Sequence, residues 1–152
     1  MFLQKIKDTQ TLDFYTIDMP ENADAVQVPL YMSKVSAGFP SPADDYIETA
    51  LDFNKFLIKH PAATFCVKVK GSSMINAGMN DGDVLVVDRS IEPKTNSIVV
   101  AILNGEFTVK RLSKNGKNLY LLPENDTYKP ILITETMDFE VWGVVTFIVK
   151  NV

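Results

Sequence analysis

At 152 residues the chain has the length of one domain, and 46% apolar residues, with nine Phe, five Tyr and one Trp, supply a core of ordinary size and exclude wholesale disorder. The formal charge is −4. Residues 1–36 hold Lys5, Lys7 and Lys34 against Asp8, Asp13, Asp18, Glu21 and Asp24, so both parts are acidic and neither offers the clustered Lys and Arg that direct DNA binding requires.

The start, MFLQKIKDTQ, lacks the basic-then-apolar build of a signal peptide, and the longest apolar run, Val141 to Val149, is too short to span a bilayer. A cytoplasmic protein with no membrane contact is expected. From Thr11 to Asp45 the chain is punctuated by Pro20, Pro29, Pro40 and Pro42 and sustains no helical period. This reads as an extended N-terminal arm, with residues 1–30 expected as a tail. Proline fixes φ and removes a donor, so Phe39-Pro40-Ser41-Pro42 is expected to be non-helical and open to a protease.

Asp45 to His60 is the one stretch with helical spacing, carried by Ile47, Ala50, Leu51, Leu57 and Ile58 and closed by Pro61. Beyond it the period falls to two. Thr64–Lys70, Val84–Asp88, Ser97–Ile102 and Glu106–Leu112 read as strands rich in β-branched residues, and Phe139–Val149 as a long last strand. Asn80-Asp81-Gly82-Asp83, Asn104-Gly105 and Asn115-Gly116 have tight-turn chemistry. Together they predict a mainly β, curled antiparallel assembly. The single Cys66 lies in an alternating strand, which excludes an internal disulfide and a Cys-rich metal site and suits a reducing compartment.

Most standard sites fail by inspection. There is no His-Glu-x-x-His, no phosphate-binding glycine loop and no second histidine beside His60, so no metal or cofactor is expected. His60 itself, at a helix end before Pro61, is expected to meet the last helical carbonyls rather than serve a Ser-His-Asp triad. A serine can also be activated by a lysine, provided burial keeps the amine neutral. Lys110 stands on an apolar strand, although alternation places it with Glu106 and Thr108 on a face that reads as solvated. Gly71-Ser72-Ser73-Met74 reads as a turn offering a hydroxyl and backbone N–H groups, a weak signal by itself.

The chain resembles the UmuD and LexA family over about residues 35 to 150. The resemblance rests on Ala37-Gly38 with Phe39-Pro40-Ser41-Pro42, on His60-Pro61-Ala62-Ala63, on Gly71-Ser72-Ser73-Met74, on Asp81-Gly82-Asp83-Val84, on Thr108-Val109-Lys110-Arg111-Leu112 and on Leu121-Leu122-Pro123-Glu124-Asn125. It implies a LexA/signal-peptidase-like fold with one short helix. It also implies Ser73 as nucleophile, Lys110 as general base, backbone N–H groups of Ser72 and Ser73 as an oxyanion hole, and the chain's own Ala37-Gly38 bond as target. The division that follows is an arm, 1–37, removed by self-cleavage from a peptidase-fold domain, 38–152. Ser72 departs from the family pattern, in which aspartate is usual.

The same resemblance implies stimulation by a RecA filament on single-stranded DNA, a homodimer, and a shortened form that serves a UmuC-like Y-family polymerase in the SOS response, with the replication sliding clamp as a further partner. Two other readings share the core. A LexA-like repressor needs a helix-turn-helix ahead of it, which the acidic, proline-interrupted arm does not provide, and a catalytically inactive scaffold would keep the fold without the chemistry.

Overall fold

A computed structural model describes residues 2–8, 12–18, 25–31 and 47–152. Among the described residues the strands are β1 (Phe2–Asp8), β2 (Leu12–Asp18), β3 (Gln27–Tyr31), β4 (Ile47–Asp52), β5 (Thr64–Val69), β6 (Val84–Asp88), β7 (Ile98–Leu103), β8 (Glu106–Asn115), β9 (Asn118–Leu122), β10 (Ile131–Ile133) and β11 (Phe139–Val149), with one α-helix, α1 (Phe53–Leu57). Nine strands form one antiparallel sheet in the order β1-β2-β5-β6-β11-β7-β8-β9-β10, and β3 and β4 make a separate ribbon. The mainly β expectation holds.

The turns work as their residues require. Asn104 and Gly105 take φ values of 49° and 84°, the pair of left-handed residues that a two-residue hairpin needs, and join β7 to β8 in register from Leu103↔Glu106 to Ile98↔Arg111. The last strand, β11, does not close an edge. It runs between β6 and β7, and its register slips once against each, between Val141 and Gly143 and between Val145 and Phe147. Such bulges bend a strand and raise its twist.

The buried apolar residues of the sheet fall into two clusters. Phe14, Val67, Leu85, Val100 and Phe107 pack in one cluster, while Val99, Ala101, Leu112 and Leu121 pack in a second. At Gly143 a Cβ would stand 2.7 Å from Val87 Cγ1 and 3.1 Å from the Asp88 carbonyl oxygen. We therefore expect Gly143→Ala to destabilise the fold by about 1–3 kcal/mol, read as a lower urea midpoint at unchanged slope; an unchanged midpoint would show that the strands part without cost. Cys66 is buried, and its burial pushes the thiol up to about 11, which leaves it an inert core residue.

Two expectations give way. The tail anticipated over residues 1–30 includes an antiparallel hairpin, β1 with β2, whose second strand pairs with β5 from Leu12↔Val69 to Thr16↔Phe65. Leu12 and Phe14 are core residues, 2% and 1% exposed. The helix anticipated over Asp45–His60 is confined to Phe53–Leu57, because residues 47–52 pair with β3 instead. Asp52 marks the change: its Oδ1 accepts the N–H groups of Asn54 at 3.0 Å and Lys55 at 3.4 Å, the capping bonds that start a helix.

Candidate active site

Ser73 sits on a turn that follows β5, and three devices shape it. Gly71 adopts φ +95°, a conformation that L side chains rarely take, and donates its N–H to Asp81 Oδ1 at 2.9 Å. Met74, buried behind the serine, anchors the turn in the core. A segment from the far side of the sheet then holds the turn's carbonyls: Glu124 N–H donates to the Ser73 oxygen at 2.9 Å, and Asn125 Nδ2 donates to the Ser72 oxygen at 2.7 Å.

Glu124 is fixed in turn. Its carboxylate takes the Arg111 guanidinium, and its own carbonyl accepts the Asn76 N–H at 2.7 Å. Arg111 thus ties the Ser73 turn to β8, the strand that carries Lys110. Glu124, Asn125 and Arg111 were visible in the sequence only as parts of motifs. Their role as clamps is long-range and has no local signature.

Lys110 is 8% exposed. Alternation is obeyed, since its Nζ lies beside Thr108 Oγ1 at 2.7 Å on the same face, yet at Lys110 that face is not solvated: the side chain is buried against the Ser73 turn. The amine donates to Ser73 Oγ at 3.0 Å, to Thr108 Oγ1, and to the Val109 carbonyl at 3.0 Å. Burial disfavours the ammonium form and lowers the lysine to about 8. The two side chains meet in a cleft of about 300 Å³ whose apolar wall includes Leu12, Val69 and Met79, with Tyr128 at the rim. A hydroxyl beside an amine that can be neutral near pH 8 is equipped for general-base-assisted acyl transfer.

His60 turns elsewhere. Its Nδ1 lies 2.7 Å from Asp88 Oδ2 at the end of β6 and 3.0 Å from Ser90 Oγ, while the carbonyl of Lys55 in α1 takes the Lys59 amine instead. Burial acts to raise the Asp88 carboxyl, but hydrogen bonds from His60 and Ser90 outweigh it and hold it below the usual range. Serine, histidine and aspartate are all present, but both partners share one ring nitrogen and Ser90 Oγ donates directly to Asp88 Oδ1 at 2.6 Å. A triad needs the serine and the carboxylate on opposite nitrogens, so this trio is a structural clasp. Ala37 and Gly38 lie outside the described residues.

Comparison with known proteins follows the same lines. A family model described as Peptidase S24-like matches residues 29–146. The chain belongs to the Peptidase S24-like family. Among its relatives, Protein MucA of Salmonella typhimurium is 42% identical over 134 residues, covering 86% of this chain and 91% of that one. Protein SamA of Salmonella typhimurium strain LT2 is 47% identical over 118 residues, 78% and 81% of the two. The LexA repressor of Clostridioides difficile is 40% identical over 126 residues, which cover 82% of this chain but 58% of the repressor. Among the described residues, no helix is long and apolar enough to cross a membrane.

Proposed function

We propose that the chain is a self-cleaving serine endopeptidase that cuts its own Ala37-Gly38 bond, with Ser73 as nucleophile and Lys110 as base. The observation that carries this reading is the buried Lys110 amine, lowered to about 8, at 3.0 Å from the Ser73 hydroxyl. When neutral, the amine keeps its two N–H bonds to Thr108 Oγ1 and the Val109 carbonyl and turns its lone pair to the Ser73 hydroxyl, which then donates.

Ser73 Oγ attacks the Ala37 carbonyl carbon while Lys110 takes the hydroxyl proton. The N–H groups of Ser72 and Ser73 face the developing oxyanion. As the tetrahedral intermediate collapses, the C–N bond breaks and Lys110 passes its proton to the Gly38 nitrogen. Water, deprotonated by Lys110, then attacks the ester carbonyl carbon, the bond to Ser73 Oγ breaks, Lys110 returns its proton to that oxygen and Ala37 leaves as a carboxylate. Because bond and dyad belong to one chain, tethering raises the effective concentration of the substrate, and slow chemistry suffices.

Kinship supports the wider setting. The cut is promoted by a RecA filament on single-stranded DNA, and the cleaved form acts in the cytoplasm as a dimeric accessory subunit of a Y-family translesion polymerase in the SOS response, alongside the sliding clamp. Mass spectrometry of the purified chain, held at raised pH or with RecA, ATP and single-stranded DNA, tests the chemistry. A single break between residues 37 and 38 is expected; a chain that stays whole under both conditions refutes the peptidase reading.

A further inference from the structure

Two strands lie ahead of the proposed cut and pair with strands behind it. β2 adds to the edge of β5 through five residue pairs, and β3 pairs with β4 from Gln27↔Asp52 to Tyr31↔Ile47. Of the two, β2 is the deeper attachment. Phe14 packs against Phe107 at 4.5 Å between ring centroids, Trp142 at 5.8 Å and Phe65 at 5.9 Å. Asp13, also buried, pairs with Lys70 at 2.8 Å and Lys5 at 3.3 Å, and Leu12 forms part of the catalytic cleft's wall.

We infer that residues 1–37 stay on the core after the Ala37-Gly38 bond is cut, held by β2 on β5 and β3 on β4, so that the cleaved protein is a two-chain complex. The inference rests on the self-cleavage reading for the position of the cut. Hydrolysis breaks one peptide bond and none of these contacts. Release would uncover the backbone edge of β5 and leave an empty slot among Phe65, Phe107 and Trp142, and an unpaired edge beside exposed aromatic surface is a site for aggregation. Two attachments on one fragment also act together, since a strand that lets go is held close by the other.

Retention has a consequence for the cleft. Leu12 and the Asp13–Lys70 pair flank the turn that carries Ser73, so the catalytic wall keeps its shape only while the fragment is seated. Displacing the hairpin, with a competing strand for instance, would then open the cleft and bare the β5 edge in one event.

The test separates retention from self-cleavage by making the cut with an added protease. In the full chain carrying Ser73→Ala, a recognition sequence for a site-specific protease is inserted between Ala37 and Gly38. After complete cutting at about 10 µM, a level where moderate non-covalent affinity suffices, gel filtration and native mass spectrometry follow the fragment, and the emission of Trp142, the chain's one tryptophan, follows the slot. Co-elution with unchanged emission is expected. Elution of the 1–37 fragment alone, with red-shifted emission, overturns the inference. Phe14→Ala is expected to weaken retention at least about a hundred-fold and release the fragment. Phe14→Leu, which keeps an apolar group in the slot and so the fold of the uncut chain, should weaken it about ten-fold. Retention unaltered in both variants would also overturn the role given to β2.

Discussion

Ser73→Ala and Lys110→Ala are each expected to lower the rate of the break at 37/38 by roughly four orders of magnitude or more, and the double variant by no more than either, because nucleophile and base act as one unit. The pH profile separates this dyad from other serine chemistry. Lys110 takes a proton only as the free amine, and burial sets its midpoint at about 8 rather than the ordinary 10.5. Below that midpoint the free-amine fraction falls ten-fold per pH unit, so at pH 7 about a tenth of the lysine is ready. The cleavage rate should therefore climb with unit slope and level off above pH 8. A lysine in water would delay the plateau beyond pH 10, and a rate flat from pH 6 to 10 would exclude Lys110 as base. Lys110→Arg should not restore activity, since a guanidinium stays charged throughout the range.

How much of this could be read from the sequence differs by element. β5, β6, β7, β8 and β11 announced themselves through period-two runs of Val, Ile and Phe, and Asn104-Gly105 through the backbone it must adopt. β2 carried the same alternation in Leu12, Phe14 and Thr16, but charged neighbours and the prolines downstream masked it, and no local feature says which edge a short strand will join. The first half of the expected helix was lost for a related reason. Ile47 and Thr49 suit a strand, and a partner supplied from residues 27–31 decided the outcome.

The site divides in the same way. The serine turn and the strand lysine were recognisable as groups, but alternation put Lys110 on a solvated face. What buries it is the Ser73 turn, pinned across the sheet by Glu124 and Asn125. That burial is non-local, and with it goes the lowered pKa on which the proposed chemistry depends. Family resemblance singled out Ser73 and Lys110 together, and the two side chains lie 3.0 Å apart, because kinship carries tertiary arrangement, which periodicity does not. For His60 the misreading was one of partner: a helix end was near in sequence, yet Asp88 was nearer in space.

A base made by burial should leave a mark on stability, and Lys110→Met is the variant that reads it. At pH 7 the wild-type chain keeps a mostly protonated amine in a buried site, at a cost on the order of 3 kcal/mol from the difference between 10.5 and about 8. Methionine has similar length, no charge, and a thioether that packs well. In a Ser73→Ala background, which prevents self-cleavage during the measurement, the methionine variant should be more stable at pH 7 by about 2–3 kcal/mol in urea unfolding. The sign of the pH dependence follows from which state holds the proton. Between pH 8 and 10.5 the unfolded lysine is still protonated and the folded one is not, so the wild-type fold gains stability as pH rises through that window, and the variant, lacking the group, does not. The gap should close toward pH 10.5. If it is absent at pH 7, or equally wide at both ends, Lys110 is not held against its charge, and the lowered midpoint that equips it as a base would have to be abandoned with it.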